Sequence, residues 1–139
     1  MKLFIDCEWN DFGGDLISIA LVSEDGKEFY EEFDFDESTS SEWVRDNVIS
    51  KLGHDPQPRT VIQQRLGKYL HQFDSIEVVA DWPEDIKHFC DLLITGPGMR
   101  LNTPPLMMIV TRLDGDSENP HHALYDARAL KRAYLSRYK

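Results

Sequence analysis

The stretch MKLFIDCEWN, residues 1–10, decides the fold. It begins with the apolar run Leu3-Phe4-Ile5, which is followed by no 3.6-residue period and reads as a buried central strand. Asp6 and Glu8 then stand two apart. Side chains alternate along a strand, so both carboxylates leave one face of the sheet and Cys7 leaves the other. Like charges at the end of a buried strand are costly unless a cation lies between them, and a hard divalent ion with oxygen ligands is the usual answer. A lone Asp-x-Glu is more often an ordinary strand end, so the question is whether later residues supply more ligands.

Working outward, Asn10-Asp11-Phe12-Gly13-Gly14-Asp15 is a turn by composition and leads to a second buried strand at residues 16–22, LISIALV. Asp25-Gly26 is a hairpin signal, and residues 27–33, KEFYEEF, alternate as a half-exposed third strand. Thr39-Ser40-Ser41-Glu42 matches a capping box for a helix through Trp43, Val44, Val48, Ile49 and Leu52, stopped by Gly53. Thr60 with Gln63 repeats that pattern ahead of an apolar stripe at Val61, Ile62, Leu66, Tyr69, Leu70 and Phe73. A short buried strand is expected at residues 76–82, with Trp82 in the core. The helix starting at Pro83-Glu84-Asp85 has Ile86, Phe89, Cys90, Leu93 and Ile94 as its inner face and ends at Gly96-Pro97-Gly98. A fifth strand, Leu106–Val110, and a loop over residues 113–120 precede the last helix, residues 122–138, whose inner stripe is Leu124, Ala127, Leu130, Ala133 and Tyr134.

Three antiparallel strands followed by strands alternating with helices predict an α/β domain with a five-stranded mixed sheet and helices on its faces. At 139 residues the chain is expected to form one domain, residues 1–139, without a linker. No apolar stretch has the length of a membrane span, and Met1-Lys2 leads into only three apolar residues before Asp6, so neither a membrane segment nor a signal peptide is expected. Two cysteines, Cys7 and Cys90, are too few for a disulfide framework and read as buried reduced thiols of a cytoplasmic protein. The net charge of -10 argues against a nucleic-acid partner at first sight, but the charge is unevenly spread. Of the 25 acidic residues 14 lie in residues 1–46, with 3 of the 15 basic ones; from Arg128 onward there are bases and no acids. That is a local cationic patch, weak evidence by itself because charge runs are usually solvated faces.

Two further acidic positions belong with Asp6 and Glu8. Asp85 lies in the first turn of the helix after the fourth strand, where the helix dipole favours a carboxylate. His121 stands five residues ahead of Asp126 across the start of the last helix, a spacing that leaves the imidazole on the loop while the carboxylate points inward. Asp6-Cys7-Glu8, the acidic helix start at Asp85 and His121-His122-Ala123-Leu124-Tyr125-Asp126 resemble, in order and spacing, the three motifs of the DEDDh 3'-to-5' exonucleases. The likeness spans nearly the whole chain. Residues 6–30, DCEWNDFGGDLISIALVSEDGKEFY, are most similar to the small bacterial and phage exoribonucleases of the ribonuclease AS kind. One departure stands out: many relatives carry an aromatic before the third acid, whereas Glu84 precedes Asp85 here, which leaves Asp81 as a rival.

The resemblance implies a ribonuclease-H-like sheet of strand order 3-2-1-4-5, with Asp6, Glu8, Asp85 and Asp126 holding two Mg2+ or Mn2+ ions and His121 acting as general base. Two ions can activate a water and neutralise the leaving oxygen of a phosphodiester, and an imidazole titrates near neutral pH. Trp9 and Phe12 are candidates for stacking on terminal bases, with Trp82 a third for which core packing is preferred. The expected reaction is release of nucleoside 5'-monophosphates from single-stranded RNA 3' ends, with DNA as the alternative substrate. A non-catalytic ribonuclease-H-like module that binds nucleic acid or a protein is the rival of a different class; it would have no need of all four acids and the histidine. Relatives such as ribonuclease T pair their subunits, and an acidic chain this small has little room for a cationic substrate track, so a homodimer is expected.

Overall fold

The computed structural model describes residues 1–138. Strand β1 (Lys2–Trp9) lies in the middle of a five-stranded mixed sheet whose other members are β2 (Leu16–Ser23), β3 (Glu28–Glu32), β4 (Ile76–Ala80) and β7 (Leu106–Val110), in the order β3-β2-β1-β4-β7. This is the ribonuclease-H-like arrangement, with β7 in the place of the fifth strand. β1 and β2 are antiparallel from Leu3 opposite Ser23 to Trp9 opposite Leu16, and β2 is buried along its whole length, as a strand covered on both faces must be.

The opposite edge of β1 behaves differently. It pairs in parallel with β4 only over Lys2, Leu3 and Phe4, opposite Glu77, Val78 and Val79. Beyond Phe4 the two strands part, and the carboxyl end of β1 opens a crevice, the place where open α/β sheets put their ligands.

Each face of β1 is covered by a different layer. Leu3, Ile5 and Cys7 pack with Ile62, Leu66 and Leu70 of α2 (Arg59–Leu70) and Phe89 and Leu92 of α3 (Pro83–Leu93). Phe4 lies on the other face with Val79, Leu113 and Leu130, and α4 (Ala123–Arg137) rests there against β1 and β2. Its small residues Ala123 and Ala127 meet Ala20 and Val22, so the helix lies close to the sheet.

Several local expectations are corrected. The helix expected from the Thr39 capping box through Leu52 is α1 (Glu42–Asn47) between two 3-10 turns, Glu37–Thr39 and Ile49–Lys51. Its N-cap is Ser41, whose hydroxyl accepts from the Val44 N–H; the box beginning at Thr39 is not formed. Thr60 is inside α2 rather than capping it, since Pro58 takes the N-cap position. Strand β4 stops at Ala80, and Trp82 is 57% exposed at the N-cap of α3 instead of in the core. Helix α3 ends at Leu93. Ile94 is exposed and begins a small hairpin, β5 (Ile94–Gly96) with β6 (Met99–Arg100), around a turn in which Gly98 has φ +66°. Cys90 is half-buried, its Sγ beside Met108, whereas Cys7 is buried as expected. Among the described residues no helix is long and apolar enough to cross a membrane.

Candidate active site

Asp6 and Glu8 leave β1 on the α4 face, as their alternation requires, and the parting of β1 from β4 gives them room. The α4 helix, held close by its alanines, brings Asp126 in its first turn to them: one oxygen from each of Asp6, Glu8 and Asp126 lies within 4.8 Å of the others. From the other side come Asp81, just past the end of β4, and Asp85, in the first turn of α3; they form a second such group with Asp6. Asp6 belongs to both. The two rivals for the third acid, Asp81 and Asp85, thus both face Asp6.

Backbone amides fix two of these carboxylates while leaving an oxygen of each uncommitted to them. Cys7 N–H donates to Asp85 Oδ1 at 3.0 Å, and His121 N–H donates to Asp126 Oδ2 at 3.0 Å. Asp6 Oδ2 is buried with no hydrogen-bond partner. The ion pairs among the described residues, Lys2 with Glu77, Lys27 with Asp25, Arg65 with Glu31 and Arg128 with Glu28, all lie outside the group.

The electrostatic result is large. Burial pushes the Asp6 carboxyl well above its ordinary range, and the charges of Asp85, Glu8 and Asp126 add to it. Burial, with Asp126 beside it, raises Glu8 to about 8, a rise that the charge of Lys51 moderates. Asp85 is raised to about 8 by burial and by Asp81 and Glu8, against the favourable Cys7 amide. Asp81 is also raised, chiefly by burial. Partly buried carboxylates turned toward each other, with the buried and unpartnered Asp6 Oδ2 among them, match what a hard divalent cation requires.

Asp6, Asp81 and Asp126 line a cavity of about 370 Å³ together with His121, Pro120, Asp116 and Ser117. Its wall at Gly115 presses on α4 so closely that a Cβ there would come within 2.8 Å of the Ala129 carbonyl oxygen. His121 has φ +69°, a left-handed conformation uncommon outside glycine. His122 lies elsewhere: its ring stacks on Tyr30 at 4.9 Å between centroids, and burial lowers its pKa.

The aromatic candidates separate. Phe12 projects from the β1–β2 turn, 96% exposed. Trp9 joins the α3-side core and stacks on His88 at 5.1 Å, so it is not brought together with the carboxylates. Two tryptophans stand exposed near the carboxylates or His121, one of them expected in the core. Trp82 stands beside Asp81, and Trp43 of α1, 55% exposed, sets its ring 5.1 Å from that of His121. Lys51 is a further residue that periodicity did not reveal; its ammonium donates to the Pro120 carbonyl. In the basic C-terminal stretch Arg128 is tied to Glu28 by two hydrogen bonds, and Arg132 and Arg137 donate to the Asp116 and Arg112 carbonyls.

Two curated proteins from different strains of Mycobacterium tuberculosis, both named 3'-5' exoribonuclease, are each 34% identical to the chain over 124 residues, covering 81% of it and 70% of their own length. The chain belongs to this 3'-5' exoribonuclease family. No protein-family model matches it. For a member of the exoribonuclease family, an acidic crevice at the end of a central strand, flanked by an imidazole and exposed aromatic rings, is a coherent place for phosphodiester chemistry.

Proposed function

We propose that the chain is a divalent-metal-dependent 3'-to-5' exoribonuclease of the DEDDh type, releasing nucleoside 5'-monophosphates from single-stranded RNA ends. The observation that carries this reading is Asp6, whose partnerless buried oxygen lies where two groups of carboxylates meet. Asp6, Glu8, Asp85 and Asp126 would hold two Mg2+ or Mn2+ ions, with Asp81 beside them. Such ions supply an activated water and charge neutralisation at the leaving oxygen. The chain's own residues then have distinct tasks. Asp126 orients the loop through the His121 N–H, and His121 accepts the proton of the attacking water, a contribution worth roughly 10²–10⁴ in rate. Phe12 and Trp82 offer exposed faces to unstacked bases, each stack worth about 1–3 kcal/mol.

A duplex end must first be frayed at about 1.4 kcal/mol per base-pair step, so single-stranded 3' overhangs are the favoured substrate. A 5'-labelled RNA should shorten one nucleotide at a time in the presence of Mg2+ or Mn2+, and a 3'-terminal phosphate should slow the first step. Faster digestion of the matched DNA would make the enzyme a deoxyribonuclease, and internal fragments from a circular strand would contradict an exonuclease. No hydrolysis of either would leave the binding-module reading. We further propose a homodimer, supported by the exposed apolar side chains Ile94, Met99 and Met107, and a cytoplasmic location, supported by two free cysteines. Light scattering at working concentration tests the homodimer, and a monomeric mass with full activity would refute it.

A further inference from the structure

Residues 37–52, between β3 and α2, reach both sides of the candidate site. Toward β1 they are tied to the turn that follows it: Asn10 Nδ2 donates to Thr39 Oγ1 at 2.8 Å, and the Ser41 N–H and hydroxyl donate to the Asp11 carboxylate at 3.2 and 2.8 Å. Val44 and Val48 anchor the segment on Ile17 of β2. Toward α4, two side chains cross to the loop that carries His121: Lys51 to the Pro120 carbonyl, and Trp43 to the His121 ring, edge-on at 75°.

Those contacts fall on one chemical unit. The Pro120 carbonyl and the His121 N–H are the two ends of a single peptide group. Its oxygen is held by the Lys51 ammonium and its N–H by the Asp126 carboxylate, so the peptide plane is clamped between a cation and an anion by charge-assisted hydrogen bonds. Rotation of that plane would carry His121 out of its left-handed φ of +69°, a conformation that persists only where its surroundings determine it. The ring itself then rests against the Trp43 indole.

We infer that residues 37–52 are a strap that aims the His121 imidazole, with Lys51 and Trp43 as positioning residues. This rests on His121 being the base proposed above. Lys51 fixes the backbone from which the ring projects, and Trp43 limits where the ring can turn; neither is required to touch the reacting atoms. Because a misplacement of about 1 Å costs on the order of 10² in rate, loss of either arm is expected to lower turnover, and loss of the uncharged Trp43 arm to leave metal affinity unchanged.

The test is a double-mutant cycle on the full chain with single-stranded RNA and Mn2+, in which Lys51→Met, Lys51→Arg, Trp43→Leu and His121→Ala are measured alone, and Lys51→Met and Trp43→Leu again in the His121→Ala background. Alone, Lys51→Met and Trp43→Leu should each cut kcat roughly 10–10²-fold with KM little changed, and Lys51→Arg should recover most of the loss. In the His121→Ala background both should have no further effect. The His121 ring resonances in NMR should shift in both variants, while the Mn2+ binding isotherm of the uncharged Trp43→Leu substitution stays that of the parent. Additive losses in the background, or a Lys51→Met effect confined to KM and steepened by salt, would mean direct contact with RNA and would overturn the strap. A His121→Ala variant with full turnover would instead defeat the general-base reading, with the NMR shifts still reporting whether the strap holds the ring. If Lys51→Met fails to fold, the half-exposed Trp43 arm carries the same cycle.

Discussion

The backbone N–H of Cys7 donates to Asp85 Oδ1 at 3.0 Å, joining residues 78 apart in the chain. The contact lies where β1 has lost its neighbour β4, so the amide that would have bonded a parallel strand bonds a carboxylate from a helix start instead. The same departure from sheet pairing that leaves an amide to satisfy also brings Asp85 to Asp6. Fold and site are coupled at this point.

A distinction between Asp85 and Asp81 follows. Asp85→Asn keeps an oxygen for the Cys7 amide and loses the charge, so the variant should fold and bind Mn2+ poorly. Outer-sphere partners of a metal cost roughly 10–10² when removed, and this variant should lose more than that in activity. Asp81→Asn, without the Cys7 tie, should lose less. Mn2+ titration of both variants with steady-state kinetics checks the order, and the reverse order would make Asp81 the third acid.

Stability should depend on pH in an unusual direction when metal is withheld. Asp6, Glu8 and Asp85 have folded-state pKa values raised above their ordinary ones, two of them to about 8. A raised carboxyl contributes stability that is fully present below its unfolded value, near 4, and is lost as pH rises through the folded value. In a chelator, Tm should therefore fall between about pH 4 and pH 8. Mn2+ should restore it, increasingly toward the alkaline end, by about 2.7 kcal/mol when the free ion is at 100 times its Kd. Thermal scans across that range in chelator and in Mn2+ give the comparison; a metal-free Tm that rises with pH would mean that burial and mutual repulsion do not raise these carboxyls.

The adjacent histidines should separate cleanly. His121 lines the cavity, and its replacement by Ala should reduce turnover by roughly 10²–10⁴ with little change in unfolding temperature. His122 packs on Tyr30 and against Tyr125, so His122→Ala should affect stability more than turnover. Single-turnover rates and thermal unfolding of the two variants distinguish these outcomes.

Much of this was readable from residue spacing, because β1 alternates and the positions of Asp6 and Glu8 follow from that alternation alone. That both Asp81 and Asp85 reach Asp6 was not readable: a strand end and a helix start four residues apart both present acids, and their approach to β1 depends on where β4 turns away. The strap was hidden for a different reason. Trp43 sits beside Val44 in an apolar rhythm that suits a buried helix face, yet α1 is only six residues long and breaks into 3-10 turns, leaving the indole outward. Lys51 carries no pattern at all, since its partner is a backbone carbonyl 69 residues away. The β5–β6 hairpin was concealed by Gly96-Pro97-Gly98, which ends a helix as readily as it turns a ribbon.

In the proposed reaction these carboxylates would hold the ions for RNA hydrolysis. The most direct measurement is a crystal structure of the protein soaked with Mn2+ and a nucleoside 5'-monophosphate, read at the manganese absorption edge. Two anomalous peaks within reach of Asp6, Glu8, Asp85 and Asp126, about 3.5–4 Å apart and sharing the nucleotide phosphate, are the predicted result. Saturating Mn2+ with no peak at Asp6, or with peaks only elsewhere on the surface, would contradict it.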